Sequence, residues 1–172
     1  MEEKKSTLGV HFTSGNDLWC TPKWLFEALN DIWNFTLDAA CMKETALCPK
    51  YYTPEDDSLI QNWDNEIVWL NPPYSNLKPW LEKSVHAYNN GSTVMILVPS
   101  RTDTKAFQDH ASKYCTCMCF IKGRLKFVDP NKDPNAKQDS APFPSVLIVL
   151  DNNLTDEKIQ YLKTLGTVMK NV

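Results

Sequence analysis

Apolar residues recur along the chain in blocks whose spacing alternates between helical and strand-like. After Thr21-Pro22, a helix-start signal, Leu25, Phe26, Leu29, Ile32 and Trp33 fall on one face at helical intervals and predict a helix over about 22–32. Residues 35–40 read as a short strand ending in Asp38-Ala39-Ala40-Cys41, and the stretch after it, rich in Pro, Tyr and acid and without clear period, reads mostly as loop. The run 67–70 (Ile-Val-Trp-Leu) has the unbroken apolar character of a buried parallel strand, and Asn71-Pro72-Pro73-Tyr74 stops it, because successive prolines cannot continue a ladder. A helix through Trp80, Leu81, Val85 and Tyr88 follows, closed by Asn90-Gly91, where glycine can take the left-handed cap conformation. Residues 94–98 predict a further buried strand, 104–112 a helix, 115–122 a strand, and 145–150 a last strong strand. Ile159, Leu162 and Leu165 mark a final helix ended by Gly166, and the polar segment 129–140 is a long surface loop.

Strands alternating with helices, joined by crossovers of a dozen or more residues, predict an α/β fold: a mostly parallel sheet with helices on both faces. In such sheets ligands bind outside the carboxyl ends of the strands. Here the two ends with unusual chemistry are Asp38 to Cys41 and Asn71 to Tyr74. At 172 residues the chain suits one domain, expected over 16–172, preceded by a flexible arm over 1–15 that carries no periodic pattern. No stretch approaches the ~20 apolar residues of a transmembrane helix, and the first residues lack the apolar run of a signal peptide. A cytoplasmic protein is expected, with no membrane association and no evident obligate protein partner.

The net charge of −3 argues weakly against a polyanionic partner, but the charges are unevenly placed. Acids dominate from Asp31 to Glu66, whereas Arg101, Lys105, Lys113, Lys122, Arg124, Lys126, Lys132 and Lys137 make the later region basic. Such a chain can hold a cationic ligand on one side and a polyanion on the other; two solvated surfaces are the plainer alternative. The cysteines show no disulfide framework, and Cys115, Cys117 and Cys119, at C-x-C-x-C spacing, fall on one strand face rather than in the C-x2-C pairs of structural zinc sites. Buried thiols and no metal are expected.

Asn71-Pro72-Pro73-Tyr74 is the most informative stretch. An amino group on an aromatic base is a poor nucleophile, because its lone pair is delocalised into the ring. Acceptors that take its two hydrogens draw that lone pair out of conjugation and aim it at a methyl donor. Asn71 supplies a side-chain carbonyl for one hydrogen and Pro72 a main-chain carbonyl for the other, while Pro73 helps to hold the backbone and Tyr74 offers a flat face for the base. Positioning and electrostatics carry such chemistry without a strong base. A plain strand-ending turn is the alternative for the tetrapeptide alone.

The tetrapeptide has company in sequence order. Asp17-Leu18-Trp19-Cys20-Thr21-Pro22, Leu37-Asp38-Ala39-Ala40 and Glu55-Asp56-Asp57-Ser58-Leu59 precede it; Pro99-Ser100-Arg101-Thr102-Asp103-Thr104, Gly123-Arg124-Leu125-Lys126-Phe127 and Ala141-Pro142-Phe143-Pro144-Ser145 follow. Together, over roughly 17–150, these segments resemble the phage-type DNA N6-adenine methyltransferase family, Dam-like enzymes with N-P-P-Y in a similarly small domain.

The resemblance implies a Rossmann-like, S-adenosylmethionine-dependent methyltransferase fold with the cofactor across the ends of the first strands. By analogy, Trp19, Thr21 and Pro22 pack beside its methionine part, Asp38, Ala39 and Ala40 close the first cofactor loop, and Asn71 stands at the next strand end. Asp57, with Asp56 as the alternative, is the implied acceptor for the cofactor's adenine amino group. Asp38-Ala39-Ala40-Cys41 departs from the glycine-rich loop common among methyltransferases, and Trp19 is alternatively a core aromatic. The implied partner is DNA. Arg101, Lys105, Arg124 and Lys126 are candidates for phosphate contacts, or else solvated charges, and Phe127 and Phe143 are candidates for backing an extruded base, with core packing the other role for these rings. The segment 122–145 is expected to face the DNA. RNA or protein glutamine as acceptor, and an inactive DNA-binding relative, remain as alternatives.

Overall fold

A computed structural model of the chain describes residues 19–128 and 140–171. The expected arm over 1–15 and nearly all of the expected loop over 129–140 lie outside the described residues. Helix α1 spans Lys23–Trp33, with Pro22 as its N-cap at φ −59° and Leu25, Phe26, Leu29 and Trp33 buried. Proline suits that position because its φ is already helical and its missing N–H would have had no partner there. The helix closes on Asn34 in the left-handed region, whose N–H donates to the Asn30 carbonyl.

Strand β1, Leu37–Asp38, is shorter than the predicted 35–40, although backbone bonds from Thr36 N–H to Ile67 O and from Ala39 N–H to Trp69 O continue on either side. β2 is Lys50–Tyr51 and β3 Ile67–Leu70. Helix α2, Lys78–Asn89, leads through Gly91, at φ +92°, into β4, Thr93–Pro99. A helical segment follows whose Phe107–Ser112 portion has π-helical winding, then β5 (Cys117–Ile121), β6 (Ser145–Leu150), α3 (Asp156–Leu165) and β7 (Gly166–Lys170).

The strands form one sheet in the order β2-β1-β3-β4-β6-β5-β7. β1, β2, β3 and β4 pair in parallel, whereas β4–β6, β5–β6 and β5–β7 are antiparallel. It follows that β1 to β5 run one way and β6 and β7 the other. The α/β, Rossmann-like reading stands; the mixed pairing arises because β6 inserts between β4 and β5 against their direction.

β4 and β6 occupy the middle of the sheet, and their apolar runs, buried almost throughout, are the core. Trp69, Met95, Val149 and Cys117 lie opposite one another across four strands and so share a face. α1 covers that face through Phe26, whose ring meets Trp69 edge-on at 5.7 Å, and α3 covers it where the Cys119 thiol reaches the Leu162 carbonyl. At the edge of the sheet where β6 ends, buried Asp151 accepts from Lys158 Nζ at 2.7 Å and from Trp33 Nε1 at 3.0 Å, tying α3 and α1 to the sheet.

β7 is missing from the sequence reading. Gly166 ends α3 as expected but with extended backbone, and a Cβ there would stand 2.0 Å from the Phe120 carbonyl oxygen. Its glycine therefore permits close approach of β7 to β5. Cys115 lies before β5, so only Cys117 and Cys119 share a strand face. Burial raises their thiols to about 12 and about 11, which makes them inert packing groups.

Candidate functional site

β1 and β3 are parallel neighbours, with Asp38 paired to Trp69, so Asp38 and Asn71 leave the sheet at the same carboxyl edge. Between these ends lies a cavity of about 240 Å³. Trp19, Thr21, Asp38, Ala39, Ala40, Asp57 and Asn71 all line it, having come from separate stretches of the sequence. Pro22 does not: it is buried as the cap of α1.

Asp38 is 2% exposed. Burial pushes its carboxyl up to about 6, against the opposing pull of backbone N–H bonds from Leu47 (3.0 Å) and Ala40 (3.5 Å). With no cationic partner among the described residues, that carboxylate is primed to gain from one in the cavity. The two acids that sequence left unresolved have different surroundings. Asp56 turns back on Thr53, accepting from its N–H and its hydroxyl at 2.8 Å each, and these bonds hold its carboxyl below the ordinary range. Asp57 lines the cavity, with its backbone in the left-handed region at φ 49°, a conformation aspartate tolerates better than most residues.

At the end of β3 the Asn71 side chain is held from both sides. Its Nδ2 donates to the Trp19 carbonyl and to Thr21 Oγ1 (3.1 Å), and its Oδ1 accepts from the Tyr74 hydroxyl at 2.7 Å. Pro73 lines the cavity, whereas Pro72 is buried outside its lining. Tyr74 corrects an expectation. It is 5% exposed, packed edge-on against Phe143 at 5.5 Å and Phe127 at 6.3 Å, so neither face of the ring is open to a base. Trp19 completes the cluster, 5.4 Å from Phe143 and 5.5 Å from Phe127. Phe127, at 3% exposure, is a core residue; Trp19, which lines the cavity, and Phe143, which does not, are half-buried.

Arg101, Lys105, Arg124 and Lys126 are exposed. Along 124–127 exposure alternates, Arg124 and Lys126 outward and Leu125 and Phe127 inward, as an extended segment requires. That segment is tied to the cavity by reciprocal backbone bonds between Cys20 and Val128, at 3.2 and 3.0 Å.

Sequence reasoning missed the wall opposite the strand ends, where Met42, Leu47, Tyr52 and Pro54 come from the aperiodic stretch after β1 and Trp80 from the first turn of α2. The aromatic and proline content of 51–54, just before the acids at 55–57, is the signal that was available.

Comparison with known proteins adds an independent finding. The family model described as DNA N-6-adenine-methyltransferase (Dam) matches residues 10–170. A DNA N-6-adenine-methyltransferase of Haemophilus phage HP1 is 27% identical over 141 residues, which cover 80% of this chain and 80% of that protein. A second, from Escherichia phage T1, is 33% identical over 95 residues, covering 54% of this chain and 40% of the phage T1 protein.

Proposed function

Because the chain belongs to the DNA N-6-adenine-methyltransferase (Dam) family, we propose that it transfers a methyl group from S-adenosylmethionine to the exocyclic amino nitrogen of adenine in DNA. The observation that carries the reading is the juxtaposition of Asn71, a side-chain amide at one strand end, with the buried Asp38 carboxyl at the next, across one cavity. The lining suits this cofactor: a buried acid for its cationic methionine end, apolar and aromatic walls, and a second acid, Asp57, for the amino group of its adenine.

S-adenosylmethionine held in this cavity would supply a methyl carbon on a positively charged sulfur, which would leave as a neutral thioether keeping the electron pair of the broken bond. Asn71 Oδ1 and the Pro72 carbonyl accept the two amino hydrogens, which turns the nitrogen lone pair toward the methyl carbon. One of these protons passes to water once the new bond has formed. Asp38 orients the cofactor's charged end, and Asp57 fixes its adenine. The base leaves the helical stack to reach the site, meeting the half-exposed rings of Trp19 and Phe143, while Arg101, Lys105, Arg124 and Lys126 hold the phosphates.

Methyl-labelled cofactor offered with DNA, RNA and protein in parallel tests this reading. Label is expected in adenine-containing DNA and to be absent from a DNA duplex of only guanine and cytosine. Label in RNA or protein with none in DNA would overturn it.

A further inference from the structure

We propose that Thr21, together with the main-chain carbonyl of Trp19, is a positioning group that fixes which way the Asn71 amide faces. This rests on the reading of Asn71 as acceptor for the target amino group. The two ends of an amide side chain are nearly equal in size and opposite in hydrogen-bonding sense. Only one orientation presents an oxygen to an amino group; the flipped one presents N–H groups and cannot accept. The orientation here is dictated by partners whose sense is fixed. A main-chain carbonyl can only accept, so the Asn71 atom facing the Trp19 carbonyl has to be the nitrogen. Thr21 Oγ1, 8% exposed as a residue, accepts from that same nitrogen at 3.1 Å and from the indole N–H of Trp69 at 3.3 Å. An indole N–H can only donate, so Thr21 meets Trp69 as an acceptor and has a second lone pair for Asn71. The Trp19 carbonyl is held in turn by the backbone bonds that pin Cys20 to Val128. A segment far away in sequence thus aims the strand-end amide, and Oδ1 is left for the side on which Tyr74 now donates.

Thr21→Val keeps the shape and removes the oxygen, leaving Asn71 Nδ2 with the Trp19 carbonyl as its one remaining acceptor and the amide less firmly held. Purified Thr21→Val, Thr21→Ser and Asn71→Ala are compared with the unaltered chain for turnover at saturating DNA and cofactor, cofactor affinity by calorimetry, and melting temperature. Turnover of Thr21→Val is expected to fall by about tenfold, as a small misplacement of a reacting group does, with cofactor affinity within about twofold and Thr21→Ser restoring turnover to within about threefold. If the valine variant does not fold, Thr21→Ala, which leaves room for water beside Trp69, is expected to show the same fall. Full turnover in a folded Thr21→Val or Thr21→Ala protein while Asn71→Ala is inactive would overturn the positioning role and leave the proposed function standing. A loss confined to cofactor affinity, or no rescue by serine, would overturn it equally. Full activity of Asn71→Ala would instead remove the reading on which the proposal rests.

Discussion

The hydroxyl of Tyr74 donates to the side-chain oxygen of Asn71 at 2.7 Å, so the acceptor at the end of β3 has a partner before any base arrives. An incoming amino group has to share that oxygen or take it over. Tyr74→Phe keeps the ring in its aromatic cluster and removes only the competitor. Its effect belongs in the ground state, so the KM for DNA is expected to fall about threefold, in keeping with one neutral hydrogen bond, with kcat little changed. Steady-state kinetics check this; a raised KM would show that the hydroxyl helps binding.

Asp38 gives the cofactor site a pH dependence of definite sign. Its carboxyl is raised from 3.8 to about 6 by burial, so the folded chain binds a proton that the unfolded chain releases. That contribution to stability is full below pH 3.8 and is lost as pH rises through 6. A cation in the cavity reverses the balance, because it favours the ionised form. The dissociation constant for S-adenosylmethionine is expected to be about tenfold higher at pH 5 than at pH 7, and the rise in melting temperature on adding cofactor correspondingly smaller. Calorimetry across this range, with Asp38→Asn as the flat control, measures it.

The neighbouring acids 56 and 57 separate cofactor contact from local structure. Asp57→Ala is expected to weaken cofactor binding about tenfold or more, since a charged acceptor is removed from the cavity. Asp56→Ala removes the bonds to Thr53 and is expected to alter cofactor affinity less than threefold. Equal effects from the two would mean that the turn they share, rather than the Asp57 carboxylate, holds the cofactor.

Arg124 and Lys126 project from one exposed edge of an extended segment that Val128 anchors to Cys20. If each meets a phosphate, Arg124→Ala and Lys126→Ala each weaken DNA binding and lower the slope of log affinity against log salt by about one. Titrations at several salt concentrations read that slope directly. An unchanged slope would place both cations away from the duplex.

How far the sequence reached depended on whether a residue's partners were near it in the chain. Buried central strands such as Thr93–Pro99 and Ser145–Leu150 announce themselves as unbroken apolar runs. β7 does not, because an edge strand with a mostly exposed pattern looks like surface, and the antiparallel insertion of β6 leaves no local trace. The strand end at Asn71 was legible because Pro72 and Pro73 stop β3 at once, and that at Asp38 because an acid closes a short apolar run. The burial of Tyr74 was not, since it depends on Phe127 and Phe143 arriving from distant segments. Nor could spacing reveal that Thr21 bonds Asn71, a contact that exists only once α1 has packed on the sheet.

The most direct measurement incubates unmodified DNA with the purified chain and methyl-labelled S-adenosylmethionine, digests the DNA to nucleosides and identifies the labelled one, with folded Asn71→Ala beside it. The account predicts label only in N6-methyladenine, and a turnover at least about a hundredfold lower for Asn71→Ala with cofactor affinity nearly retained. Label on cytosine, or undiminished labelling of adenine by Asn71→Ala, would contradict it.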